Sequence, residues 1–343
     1  MSRFYQLILI LGLLTYSSLI HAKKSADYFL KFQPIINHAE QLLDAYARNI
    51  LPELGVSRSE AILEQSIREL DSLRLRCEDL GPFKRNHQFN DSIQSILELT
   101  SEGLKKNSTH LLLLESYAHK TIEEMEAYIR AKEILANRLA QNVQQLIQLQ
   151  AAFSKQYELN IDLSDANLRL KNTEDYISAY TYYHSFYLLF FDGNVKENYI
   201  IISIVTRNNK LLESHNRLLI TATKKSLNAL STLGDHKGDL SLKKACEQIV
   251  RFYLYEANEE FPSMIAHLEL AKEFTDYEAQ YLSQNNASRA EEEIDSYQRM
   301  KTTFEKSKAN YELTIERTNL FRTDRLTVWQ DAVDDFFLNH LPR

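Results

Sequence analysis

Between its few helix breakers the chain repeats apolar residues at intervals of three and four, the period of one helical face. The set Ala118, Ile122, Met125, Ile129, Ala136, Leu139, Val143, Leu146 and Phe153 makes one such stripe. It predicts a helix of about five heptads, long enough to serve as a spine. A second stripe, Ile177, Tyr180, His184, Tyr187 and Phe191, runs up to an expected turn at Asp192, Gly193 and Asn194. A third begins at Val195 and continues through Tyr199, Ile202, Val205, Leu212 and Leu219. The last segment, from about Ser288, carries Ile294, Tyr297, Phe304, Tyr311 and Ile315, then Leu326, Trp329, Val333, Phe336 and Phe337. It is expected to pack along the spine until Pro342 stops it.

The expected turns are Pro52 with Gly55, Gly81 with Pro82, Gly103, Gly193, Gly234 with Gly238, Pro262 and Pro342. Long helices joined by short turns make antiparallel neighbours, so the expected fold is all-α, an elongated antiparallel helical bundle of long helices. Compared with itself at an offset of 153 positions, the chain pairs Leu80 with Leu233, Gly81 with Gly234, Lys84 with Lys237, Ile96 with Ile249, Ala118 with Ala271 and Tyr128 with Tyr281. These matches fall at equivalent turns and suggest a duplicated helical hairpin unit, with halves at about 57–160 and 210–313. The expected organisation is a signal peptide at 1–22 and one elongated helical domain at 23–343.

The first residues explain the signal expectation. Arg3 precedes an apolar run from Leu7 to Leu14, and a small residue, Ala22, stands before Lys23 and Lys24. Cleavage after Ala22 is expected, with an uncleaved anchor as the alternative because Ile20 replaces a preferred small residue. The longest apolar stretch elsewhere, Tyr199 to Val205, is too short to cross a bilayer, so no transmembrane span is expected after signal removal. Loss of Arg3 moves the formal charge from −7 to −8, which argues against nucleic acid as a partner. The cysteines, Cys77 and Cys246, read best as separately buried thiols, one disulfide being the alternative in an exported chain.

The run Gly238, Asp239, Leu240, Ser241, Leu242, Lys243, Lys244, Ala245, Cys246, followed by Phe252, Tyr253, Glu256 and Ala257, resembles the hallmark stretch of a leptospiral-type bacterial surface-protein family of unassigned function. Trp329, Phe337, Leu338, His340, Pro342 and Arg343 resemble that family's C-terminal segment. The first-half turn departs, with Arg85 and Asn86 in place of a Gly-Asp pair. The resemblance implies an exported, envelope-associated helical protein and brings no catalytic residues.

Candidate chemistry is sparse. Glu115, His119 and Glu123, spaced four apart, would share a helical face and could chelate a metal. They lack the Glu-x-x-His pattern of di-iron bundles, and a solvated charged face is the favoured reading, so no metal and no cofactor is expected. His184 sits among aromatics, and Tyr180, Tyr183, His184 and Tyr187 form the candidate ligand-binding set, weighed against a satisfied core histidine. Tyr176, Tyr180, Tyr182, Tyr183, Phe186, Tyr187, Phe190 and Phe191 cover several sides of one helix, and enclosure by neighbours is the expected outcome. No serine elbow, zinc-protease helix, paired-cysteine metal motif, calcium loop or phosphate loop is present. The functional expectation is a non-catalytic binding or scaffolding protein at the periplasm or cell surface, with an envelope or extracellular protein, or a polysaccharide, as partner. A ligand-binding bundle around His184 is the alternative, and a metal-binding bundle enzyme comes third.

Overall fold

The computed structural model describes residues 2–52, 56–84, 86–283 and 290–342, with the backbone alone for 2–22 and 56–60. Helix follows helix along the described chain: α1 (Ser2–Ile50), α2 (Val56–Leu80), α3 (Gln88–Ala118), α4 (Ile122–Gln156) and α5 (Ser164–Val205). Then come α6 (Asn209–Thr232), α7 (Ser241–Tyr255), a π turn (Glu256–Glu260), α8 (Phe261–Ser283) and α9 (Glu291–His340). The protein is an all-α helical bundle, and among the described residues no helix is long and apolar enough to cross a membrane. The side chains that carry the expected export signal, together with Gly55, Arg85 and Ser288, lie outside the described residues.

The spine is α4. Its buried positions include Met125, Ile129, Lys132, Ala136, Leu139, Val143, Leu146, Gln150 and Phe153, one face at three-four spacing. Ala118 belongs instead to α3, which ends there, and the chain turns before Ile122. That break corrects a second expectation: Glu115 is on α3, His119 caps it and Glu123 is in the first turn of α4, so the three do not share a helical face.

Glycine was misleading in two places. Asp192, Gly193 and Asn194 are not a turn, since α5 runs through them without interruption. Gly193 is there for close packing: a Cβ would lie 2.6 Å from Cδ2 of Tyr253, so only glycine lets that ring approach the backbone. Gly103 is likewise inside α3. Pro262 does not end a helix either, because it falls in the first turn of α8 directly after the π turn, where a missing N–H is tolerated.

Two expected turns do form, and they match in detail. Phe83 bridges to Asn86 and, 153 positions on, His236 bridges to Asp239. Lys84 and Lys237 take positive φ angles of 57° and 53°. Asn86 Oδ1 accepts from the Gln88 amide at 3.0 Å, and Asp239 Oδ1 from the Ser241 amide at 2.7 Å. Each turn is also tied down by a tyrosine: Tyr28 donates to the Gly81 carbonyl at 2.7 Å, and Tyr182 to the carbonyls of Gly234 and Asp239 at 3.2 Å each.

Where one domain was expected over 23–343, the chain divides into two compact units. The first holds Met1–His119, Glu123–Thr181 and His340–Arg343; the second holds Lys120–Ile122 and Tyr182–Asn339. The boundary between Thr181 and Tyr182 falls inside α5, so no loop or breaker announces it in the sequence. In the first unit the core is aromatic at the Gly81 turn, where Phe153 lies 4.4 Å from Phe89 and 5.9 Å from Phe29 between ring centroids. Burying such rings is worth about 2–3 kcal/mol each. A buried carboxylate, Glu40, is held in this unit by Gln150 at 2.8 Å and Arg169 at 2.7 Å. Burial raises its pKa against the pull of these partners.

In the second unit Tyr182 stacks on Phe336 at 5.4 Å and Phe190 on Trp329 at 5.3 Å. The partners of the last segment's first half are on α8. Tyr281 faces Tyr297 at 4.2 Å, Phe274 faces Phe304 at 4.6 Å, and His267 faces Tyr311 at 4.5 Å. Each helix contributes one ring every seven residues, and the two series run in opposite directions, which is the register of an antiparallel two-helix coil.

Candidate functional site

The candidate residues around His184 fall on either side of the boundary inside α5. Tyr180 is buried in the first unit, its ring 4.9 Å from Tyr176. In the second, His184 is buried, Tyr183 packs against Tyr187, Trp329 and Phe337, and Tyr187 packs against Phe190 and Phe191. Of the eight aromatic residues from Tyr176 to Phe191, Tyr180, Phe186 and Phe191 are buried and the other five are partly covered.

A roomier feature opens in the second unit, a cleft of about 540 Å³ between α8, α9 and the α5–α6 junction. Its wall is the end of the ring ladder. His267, Phe304 and Tyr311 line it, with Phe304 and Tyr311 half-buried and His267 buried. The His267 ring is sandwiched, with Tyr311 at 4.5 Å and Phe304 at 5.9 Å, both nearly parallel to it. Its Nδ1 shares a hydrogen bond with Ser307 Oγ at 3.0 Å. Burial lowers the His267 pKa, and Lys308 adds to that while Glu312 opposes it, which favours the neutral imidazole.

The opposite side is built by a helix end. Beyond Val205 the chain closes a double cap: the Arg207 amide donates to the Ile204 carbonyl at 3.1 Å and the Asn208 amide to the Ser203 carbonyl at 3.0 Å. This fixes Arg207 in the left-handed region, φ 53°, a place usually given to glycine. Asn208 then caps α6 by accepting from the Leu211 amide at 3.3 Å. Arg207 and Asn209, the first residue of α6, both line the cleft, so a guanidinium and the positive end of a helix dipole meet there. The Arg207 charge also reaches the Tyr311 phenol, whose pKa burial raises and Arg207 draws back down.

Charges of both signs surround the opening. Lys272 and Asp276 come from α8, Lys308 and Glu312 from α9. Lys308 and Glu312 pair loosely at 4.0 Å. Among the described residues Arg207, Lys272 and Asp276 make no ion pair, leaving two uncommitted cations against one uncommitted carboxylate in the cleft lining.

Elsewhere in the second unit, the π turn carries a buried charge cluster. Arg322 Nη2 donates to Glu256 Oε1 at 2.6 Å and its Nε to Glu197 Oε1, while Arg317 clasps both oxygens of Glu260 at 2.8 Å. Both Glu197 and Glu256 are fully buried. Burial, then the charge and hydrogen bond of Glu197, push the Glu256 carboxyl up to about 10 against the pull of Arg322. Burial and the neighbouring carboxyl thus favour the protonated form of Glu256, in a pair of carboxyls that share one arginine.

Among the described residues no group of three or more His, Cys, Asp or Glu side chains is arranged to hold a metal ion. Cys77 and Cys246 are both free and buried. The cleft was missed in the sequence because its walls come from three elements far apart along the chain. The seven-residue spacing of His267, Phe274 and Tyr281 against Tyr297, Phe304 and Tyr311 was the available signal. No family model, curated protein or solved structure matches the chain, so the resemblance to the leptospiral-type family rests on the residues quoted for it alone.

Proposed function

We propose that this chain is an exported, envelope-associated binding protein that performs no chemistry, and that the cleft beside His267 is where its ligand sits. The observation that carries the reading is the cleft itself: an open volume of about 540 Å³ walled by stacked rings and bordered by two unpaired cations, in the size range of small-molecule sites. Most of its lining residues lie in helix interiors, where backbone amides are already bonded, so the pair of free amides that would hold a reacting oxyanion is lacking from the α8 and α9 walls. His267 and Ser307 thus read as a structural hydrogen bond at the cleft rather than as a catalytic pair.

The comparison of the two units supports the same location. The matched turns favour an origin by duplication. Matched positions are 153 apart at the turns, but Phe153, which packs on Tyr28, corresponds to Phe336, which packs on Tyr182, at an offset of 183. About 30 residues are therefore extra in the second unit, and they fall in the α8–α9 pair that bears the ring ladder and the cleft. A pocket around His184 has less behind it, because the rings there are packed against one another and against Trp329 and Phe337. The export part of the proposal rests on the N-terminal pattern and the family resemblance.

Two measurements test the proposal. Produced in a double-membraned bacterial host, the chain should have the intact mass of residues 23–343, and protease added to whole and then permeabilised cells should place it at the surface or in the periplasm. Retention of residues 1–22 on a cytosolic protein would overturn export. Binding is tested by the probes described next.

A further inference from the structure

We propose that the cleft takes a small anion carried on a flat ring: a carboxylate or phosphate monoester attached to an aromatic or heteroaromatic body. This rests on reading the chain as a binding protein and adds the chemistry of its ligand.

The ring follows from the wall. Phe304 and Tyr311 are half-buried and line the cleft, and the ladder behind them holds their planes. An aromatic body laid against them gains offset-stacked contact, and the apolar Leu268 and Ala271 continue the same wall. The anion follows from what lies across the opening. Among the described residues Arg207 and Lys272 have no ion pair, and Asn209 opens a helix at the same place, so a negative group finds a fork of N–H donors, an ammonium and a favourable dipole together. Lys308 is committed to Glu312. Among the described residues that line the cleft, Asp276 is the carboxylate without an ion pair, and it suits a ring hydroxyl or amino group as a donor to it. A cationic ligand would meet Arg207 and Lys272 with one carboxylate to offset them, and a wholly apolar one would leave those cations desolvated.

Arg207 also offers a clean variant. It sits at φ 53°, so Arg207→Gly removes the guanidinium while relieving the backbone, and the variant should fold at least as well as the parent. The test uses the full chain and equilibrium dialysis. AMP and 4-hydroxyphenylacetate carry the two headgroups on flat rings. Adenosine and 4-methylphenol keep the rings without charge, inorganic phosphate and acetate keep the charge without rings, and tyramine reverses the charge. One or both ring-bearing anions should bind at least about tenfold more tightly than their uncharged or ringless partners. Arg207→Gly should weaken them about tenfold, the loss of one charge-assisted contact, and Tyr311→Ala should abolish binding. Tighter binding of AMP assigns a phosphate ligand, and tighter binding of 4-hydroxyphenylacetate assigns a carboxylate. Binding of tyramine, adenosine or 4-methylphenol as tight as that of the anions, and lost in Tyr311→Ala, would overturn the anion while leaving a binding cleft. Binding unaffected by Arg207→Gly and Tyr311→Ala would overturn this location, and no binding by any probe would overturn the ligand class and the cleft together.

Discussion

Gly193 on α5 lies against the Tyr253 ring, so that an added Cβ would sit 2.6 Å from Cδ2 and 3.0 Å from Cε2. Tyr253 is fully buried, and its hydroxyl accepts from Asn194 Nδ2 at 3.3 Å, so the ring has nowhere to retreat. Gly193→Ala should therefore destabilise the protein by about 1–3 kcal/mol, the cost of overpacking, even though alanine is the better helix former. Gly103, inside α3, has nothing within 4 Å of a Cβ, and Gly103→Ala should stabilise by about 0.5–1 kcal/mol. Urea unfolding followed by circular dichroism separates the two, and a gain in stability at Gly193 would mean that the ring has room.

The same pair of glycines shows how far the sequence could be read. Periodicity identified the all-α class and the buried face of α4, because one helical face needs only local spacing. The turns at Gly81 and Gly234 were legible because breakers cluster there, whereas Gly103 and Gly193 stand alone, and a single glycine does not distinguish a reversal from a close approach. The Thr181–Tyr182 boundary was hidden for a related reason: a helix that serves two cores needs no linker. His184 drew attention through its aromatic neighbours in sequence, yet those rings serve packing. His267 gains its open surroundings from α9 and from Arg207, about 40 and 60 residues away, which no local pattern joins.

Tyr28 and Tyr182 each anchor a turn, and their removal should be felt in parallel. In Tyr28→Phe the Gly81 carbonyl loses its 2.7 Å donor, and in Tyr182→Phe the carbonyls of Gly234 and Asp239 lose theirs. Each substitution keeps the ring packing and should cost about 1 kcal/mol. Hydrogen exchange at the Asn86 and Asp239 amides, which bond back to the carbonyls of Phe83 and His236, should accelerate only in the unit that carries the substitution. Unchanged exchange would mean that the turns hold without their tyrosines.

The two thiols should be silent in the folded protein. Cys77 and Cys246 are fully buried, and burial pushes the Cys77 thiol up to about 12 and Cys246 higher still. The thiolate is the reactive form, so labelling requires the chain to open. Ellman's reagent should report no thiol in buffer and both thiols in denaturant without prior reduction. Release only after reduction would reveal a disulfide, and fast labelling in buffer would reveal an accessible site.

The Glu256 proton should set the protein's response to alkali. In the unfolded chain a glutamate ionises near pH 4.3, as a rough model value, whereas the folded state holds this proton up to about 10. Between those values the folded state binds more protons than the unfolded one, so stability falls as pH rises, by about 1.4 kcal/mol per pH unit at most for one proton. Glu256→Gln keeps the shape and the acceptor for Arg322, and its amide N–H replaces the proton that faces Glu197. The variant should match the parent near pH 4–5 and exceed it by a margin that widens steadily toward pH 8–9, with a flatter profile between. Arg322→Met should do the opposite, costing about 3–5 kcal/mol at neutral pH, since it strips the partner from two buried carboxyls. Urea unfolding at pH 5, 7 and 9 measures both effects. Parallel pH profiles for the parent and Glu256→Gln would show that the cluster is balanced without a shared proton, and that Arg322 alone neutralises it.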